Sequence, residues 1–346
     1  MTENLCTRHR SEAREQTFSP YAARSVASLG RKKKERLDPI RTAFQRDRDR
    51  IIHSNAFRRL KHKTQVFIAP PGDHYATRLT HTLEVAQIAR TIARALNLNE
   101  DLCEAISLGH DLGHTPFGHI GEEVLNTLYP DGFRHNEQSL RVVDKLEKNG
   151  HGLNLSWEVR DGILHHSKSA KNMFGTKRGH SSTFEAEIVK ISDAVAYINH
   201  DINDAIRAGV LAEIDIPGEL SLILGHSHSQ RINTMVSDII QNSWDTSGES
   251  KETSSPVIRM SQSIGEATEL LRQFMFQNVY CVQSKNADAT RARTVVQGLY
   301  EYFERFPVAL PTEYQTNEES LNRGIVDYIA GMTDQYALNL ANKLQI

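Results

Sequence analysis

The chain has 346 residues, enough for one large helical domain or two smaller ones. Its 41 basic and 43 acidic side chains leave a formal charge of −2. That excludes a protein whose main task is to coat nucleic acid or an anionic membrane, and leaves room for a local basic patch. Hydrophobic residues make up 39% and charged residues 24%, an ordinary soluble composition, and no apolar run approaches the ~18 residues of a membrane crossing.

Residues 1–40 are polar from the start and lack the apolar stretch of an export signal, which points to a cytoplasmic protein. They carry the run Arg31-Lys32-Lys33-Lys34-Glu35-Arg36, preceded by Leu29-Gly30 and followed by Pro39. The segment reads as flexible or loosely docked, with its charge run solvated. From residue 41 the pattern is helical. Over 77–96 the apolar residues Leu79, Leu83, Val85, Ile88, Ala89, Ile92 and Leu96 recur mostly at three- and four-residue steps. A helix over 100–110 follows, then a Gly-rich tight loop over 109–121. Short helices are predicted at 121–128, 136–147 and 155–166, and a long one at 184–207. One stretch, Gln65-Val66-Phe67-Ile68, is strand-like and is closed by Pro70-Pro71-Gly72. Beyond 226 the chain turns polar, with helices predicted over 231–242, 259–280, 289–306 and 318–343 and an exposed loop at 248–256. The fold class is all-α, divided into the segment 1–40, a core over 41–225 and a C-terminal helical region over 226–346. That last region is either a subdomain or the outer layer of the same core.

Three scattered cysteines, Cys6, Cys103 and Cys281, exclude a disulfide framework and a cysteine-based zinc site and fit a reducing compartment. Histidine is concentrated instead: 13 of 16 lie between His53 and His200. Among them, His110-Asp111 ends a helix and runs into the Gly-rich loop, where imidazole and carboxylate can both turn to one point and suit a divalent metal. The pair alone also fits a capping aspartate beside a packed histidine. His81 in the preceding helix adds to it, as does Asp193, which sits in the apolar run Ile188-Val189, Ile191 and Val195, where a carboxylate is expensive without a cation. Asp193, Tyr197, Asp201 and Asp204 form one stripe at helical spacing, with His200 beside it; a solvated stripe is the plainer reading.

The set H…HD…D, with the strings FRRLKHKTQVF (57–67), RLTHTLEV (78–85), HDLGHTPFGHIGEE (110–123), FRHNEQSLR (133–141) and SDAVAYINHDINDA (192–205), resembles the deoxyguanosine triphosphate triphosphohydrolase-like branch of the HD superfamily. The resemblance runs from about Arg41 to Ala208 and more loosely to the C-terminus. It implies an HD-domain helical fold with additional C-terminal helices, and hydrolysis of a deoxynucleoside triphosphate to deoxynucleoside and inorganic triphosphate. It places metal ligands at His81, His110, Asp111 and Asp193, for Mg, Mn or another divalent transition metal. It places an acid/base pair at His119 and Glu122, and substrate contacts at Gln65, Arg78, His114, Lys190, Tyr197 and Asp201. His119 would protonate the 5′-oxygen leaving group or help align the water, Tyr197 would pack on the deoxyribose and Gln65 would meet the 3′-hydroxyl. Homo-oligomerisation and an allosteric nucleotide are implied as well. The family is often acidic after H-D-I; here that position is Asn203.

His135, His165 and His166 remain open between a second metal, substrate and packing. His53, His62, His74, His151, His180, His226 and His228 receive no role. Two other functions compete with the triphosphohydrolase. One is a phosphomonoesterase or phosphodiesterase on the same scaffold. The other is a regulator that binds nucleotide or single-stranded nucleic acid, to which the basic cluster Arg58, Arg59, Lys61 and Lys63 would contribute.

Overall fold

Short polar side chains set where the helices start. Thr42, Thr77, Asn99, Thr183 and Ser227 each accept a backbone amide of the turn that follows, satisfying donors that the first turn leaves unpaired. The computed structural model describes residues 7–68, 74–167, 181–249, 256–315 and 320–346. Its framing helices are α1 (Arg8–Glu15), α2 (Ala43–Ile52), α3 (Arg78–Ala95), α4 (Glu100–Gly109), α5 (His119–Leu128), α6 (His135–Arg141), α7 (Trp157–His165), α8 (Phe184–Arg207), α9 (His228–Asn242), α10 (Gln262–Met275), α11 (Ala287–Arg305), α12 (Leu321–Ala330) and α13 (Asp334–Leu344). The fold is all-α. Among the described residues there is no strand, only the isolated bridges Arg31–Ser156 and Thr64–Thr77.

The strand-like residues 65–68 therefore form no strand. Their apolar character goes elsewhere: Phe67 is buried in the main core and Ile68 packs on the second one. Pro70-Pro71-Gly72, most of the loop predicted at 248–256, and His180 lie outside the described residues.

The main core is built where α3 meets α4 and α8. Val85, Ile88, Ala89 and Ile92 interlock with Leu102 and Ile106 and with Ile188, Val189 and Val195. Full burial of each large aliphatic side chain contributes about 1.5–3 kcal/mol, and the alanines let the helix backbones approach closely. These three helices carry His81, the Gly109–Asp111 exit and Asp193, so the hydrophobic packing also fixes the distances between them.

Residues 7–40, expected to be flexible or loosely docked, make specific contacts with the rest of the chain. The buried Glu15 carboxylate accepts from the Ser25 amide and hydroxyl, both at 2.7 Å, and from Asn99 Nδ2 at 3.2 Å. Ser19 Oγ donates to the Thr246 carbonyl at 2.6 Å, and Arg31 pairs with the fully buried Asp47. Lys32 to Arg36 are exposed, as a solvated charge run should be.

The C-terminal region is shared between two cores. Met235, Ile239, Leu271 and Met275 of α9 and α10 belong to the main core. From α11 to α13, Val296, Leu299, Phe303, Ile325 and Ile329 pack instead with Phe117, Leu125 and Phe133 around α5. The helix predicted over 318–343 is broken at Gly331–Thr333, where Thr333 caps α13.

Candidate metal and acid–base site

Four side chains expected to act together do converge. His81, on the buried face of α3, places Nε2 3.1 Å from Oδ1 of Asp193 on α8. His110 closes α4, and its Nε2 lies 3.4 Å from Asp111 Oδ1 and 3.9 Å from Asp193 Oδ1. His81, His110 and Asp111 offer ligand atoms within 4.8 Å of one another. His110 Nδ1 is 2.6 Å from the Ser107 carbonyl and can only donate to it. With the proton on Nδ1, Nε2 is the position open for a ligand, and that buried atom has no hydrogen-bond partner. A buried imidazole nitrogen without a partner beside two carboxylates fits a divalent cation held by mixed N and O ligands.

The electrostatics agree. Burial pushes the Asp111 carboxyl up, but His110, His114 and Arg78 outweigh it and hold the group well below the usual carboxylate range. At Asp193 burial likewise raises the carboxyl, and the hydrogen bond from His81 with the charge of His110 brings it low. Burial also lowers His81 and His114, which favours the neutral, ligating form.

Beside this set lies a second cluster on the loop and α5. His119 begins α5 and is 79% exposed, with Nδ1 3.2 Å from Glu122 Oε2. Glu122 also takes His135, whose backbone amide and Nδ1 each lie 2.9 Å from Oε1. Burial raises the Glu122 carboxyl, but the hydrogen bonds from His119 and His135 dominate and keep it ionised far below its ordinary value. His135 Nε2 meets His166 Nε2 at 3.2 Å, and its ring stacks on His114 at 4.1 Å.

Residues 78–198 match the HD domain family, a span that contains all four converging residues, and residues 258–343 match the phosphohydrolase-associated domain. A deoxyguanosinetriphosphate triphosphohydrolase-like protein of Caldanaerobacter subterraneus is 58% identical over 323 residues, 93% of this chain and 90% of the relative. One of Clostridium perfringens is 51% identical over 324 residues, 93% of this chain and 92% of the relative. The chain belongs to the deoxyguanosinetriphosphate triphosphohydrolase-like family. A solved phosphohydrolase of Bacteroides thetaiotaomicron, 17% identical with a TM-score of 0.50, covers 85% of this chain and 67% of its own and shares the fold.

Three residues expected on the substrate side make protein contacts around the converging side chains. Arg78 is 2% exposed and its Nη1 donates to Asp111 Oδ2 at 2.8 Å, because the buried carboxylate needs a cation. Its guanidinium thus braces a candidate metal ligand. Asp201 is buried and accepts from the Tyr280 hydroxyl at 2.6 Å, with Oδ1 2.9 Å from His200 Nδ1. It stands behind the site: His200 Nε2 shares a 3.0 Å hydrogen bond with His81 Nδ1, which orients the His81 ring. His114, expected on phosphate, is buried with Nε2 3.5 Å from Asp111 Oδ1.

Lys190 and Tyr197 stand half-buried about one turn either side of Asp193 on α8. Burial, then the Asp193 charge, pushes the Tyr197 phenol up. Gln65 is half-buried in the chain leading to α3. Its carbonyl, at 3.1 Å, and Arg78 Nη2, at 2.8 Å, crowd the place where a Cβ on Gly118 would stand. With φ at +58°, Gly118 is confined to glycine on both counts. Two further contributors, Lys63 and Tyr280, were not singled out by the sequence. Lys63 looked like one member of a basic cluster, and Tyr280 like an ordinary helical aromatic.

Proposed function

We propose that the chain is a divalent-metal-dependent hydrolase that splits a deoxynucleoside triphosphate into a deoxynucleoside and inorganic triphosphate. The observation that carries this reading is the bare Nε2 of His110 at the meeting of His81, Asp111 and Asp193, with the His119–Glu122–His135 cluster alongside. The names of the curated relatives support the substrate class.

His81, His110, Asp111 and Asp193 would hold the metal, and Arg78 and His200 would orient that set from behind. A divalent cation there supplies Lewis acidity toward the α-phosphate. Water attacks that phosphorus, the bond to the 5′-oxygen breaks, and the departing oxygen takes a proton. His119 is the exposed imidazole for that proton, and Glu122 fixes the ring through Nδ1, leaving Nε2 toward solvent and substrate. Tyr197, Gln65 and Lys190 provide the adjoining surface for sugar and phosphates. Deoxyguanosine triphosphate is the first substrate to try. A homo-oligomer and an activating nucleotide at a separate site belong to the same reading.

The test is a matrix of Mg²⁺, Mn²⁺, Co²⁺, Ni²⁺ and Zn²⁺ against the four common deoxynucleoside triphosphates, with and without a second nucleotide. Metal-dependent release of inorganic triphosphate supports the reading. Release of phosphate or pyrophosphate in its place rejects it.

A further inference from the structure

We infer that Lys63 and Asp334 are positioning residues that brace the loop bearing His114 and His119 from the C-terminal helices, an inference that rests on reading that loop as catalytic. Lys63 is 1% exposed and, among the described residues, its side-chain nitrogen forms no ion pair. It donates to two backbone carbonyls, that of His114 and, at 2.8 Å, that of Ala330. Burying a lysine for two carbonyls is unfavourable in itself, so the arrangement makes sense through what it joins: the first residues of the loop and the last residue of α12.

Asp334 does the same at the other end of the loop. Its Oδ1 accepts the Phe117 amide at 2.9 Å. Its Oδ2 accepts the Thr64 amide at 3.0 Å and the Thr64 hydroxyl at 2.6 Å. Phe117 has φ at +61° and Gly118 φ at +58°, immediately before His119 opens α5. A bulky residue keeps a left-handed conformation only where its surroundings hold it. Lys63 and Thr64 are adjacent, and Ala330 and Asp334 bracket the break between α12 and α13. One short segment thus ties both ends of the turn 114–117 to the interruption between α12 and α13.

This gives the interruption a role. A continuous helix would consume the Ala330 carbonyl within its own hydrogen bonds, whereas the break frees that carbonyl and brings Asp334 to the loop. The C-terminal helices are in turn fixed to α6, just beyond His135. There Asp327 takes Arg141 at 2.6 Å and Gln138 at 2.9 Å.

The experiment uses the full chain loaded with Mn²⁺. Asp334→Ala, Asp334→Asn and Lys63→Met are compared with wild type for amide exchange across 114–120, bound Mn²⁺, and kcat and KM on dGTP. Asp334→Ala should speed exchange at Phe117 by about tenfold or more and lower kcat on the order of 10²-fold, with Mn²⁺ content and KM within about twofold. Asp334→Asn keeps the Oδ1 acceptor and should restore protection at Phe117. Lys63→Met should loosen the His114 end. If a variant does not fold, Thr64→Val removes one bond to Asp334 and should give a smaller kcat loss with the same unchanged KM. Wild-type exchange at Phe117 in Asp334→Ala, or unchanged kcat in both Asp334→Ala and Lys63→Met, overturns the brace. Absence of triphosphate release by the wild-type chain would reject the functional reading alone, and the exchange measurement would still judge the brace.

Discussion

Asp193 Oδ1 lies 3.1 Å from His81 Nε2, although the two residues belong to helices, α3 and α8, far apart in the chain. On the proposed function, the contact places a carboxylate and an imidazole where each would ligate the same ion. His110→Ala and Asp193→Ala should each abolish stoichiometric metal binding and turnover while leaving helicity nearly intact. Elemental analysis beside far-ultraviolet circular dichroism checks this. A metal-replete Asp193→Ala protein would remove that residue from the ligand set.

Glu122 joins His119 at 3.2 Å and His135 at 2.9 Å, apart from the four proposed ligands. Glu122→Ala should therefore lower kcat by roughly 10²–10⁴-fold, the usual range for acid–base groups, with metal content unchanged. His135→Ala should give a smaller loss, because His119 keeps its own contact with Glu122. Loss of metal from Glu122→Ala would move the carboxylate into the metal site.

Arg78 is the charged partner of a buried Asp111. Arg78→Ala leaves that carboxylate unpaired, a change that costs about 3–5 kcal/mol. Thermal unfolding of the metal-free variant should show the loss, and saturating Mn²⁺ should recover part of it. Equal destabilisation with and without metal would mean that Arg78 acts by packing alone.

Glu185 gives a pH prediction away from the site. Its Oε1 accepts the amides of Ala23 at 2.9 Å and Asn99 at 3.0 Å, and burial pushes the carboxyl above its ordinary value of 4.5. The folded pKa is then higher than the unfolded one, so the protonated form is the one that folding favours. Its contribution is complete below about pH 4 and is lost as pH rises through the raised folded value. Glu185→Gln keeps the Oε1 acceptor and cannot ionise. Its Tm relative to wild type should climb as pH rises from about 4 through the raised folded value. A difference independent of pH would contradict the assignment.

Local pattern made the principal helices legible. The apolar spacing over 77–96 and 184–207 matches α3 and α8, and Asp193 stood out because a carboxylate interrupts an apolar run. Pairings between distant segments left no such trace. Arg31 with Asp47, Tyr280 with Asp201, and Asp334 with Phe117 join residues whose own neighbourhoods look like a charge run, a helical aromatic and a cap. Periodicity reports which face of a helix is apolar; it does not report which polar group waits on the other side. For the same reason Arg78 reads as a phosphate ligand from its spacing to His81, and only the fold shows that Asp111 takes its guanidinium.

The most direct measurement is hydrolysis of dGTP with Mn²⁺ in ¹⁸O-enriched water, followed by mass spectrometry of both products. Attack at the α-phosphorus with loss of the 5′-oxygen predicts one solvent oxygen in inorganic triphosphate and none in deoxyguanosine. Label in the nucleoside, or formation of deoxyguanosine monophosphate with pyrophosphate, would contradict the account.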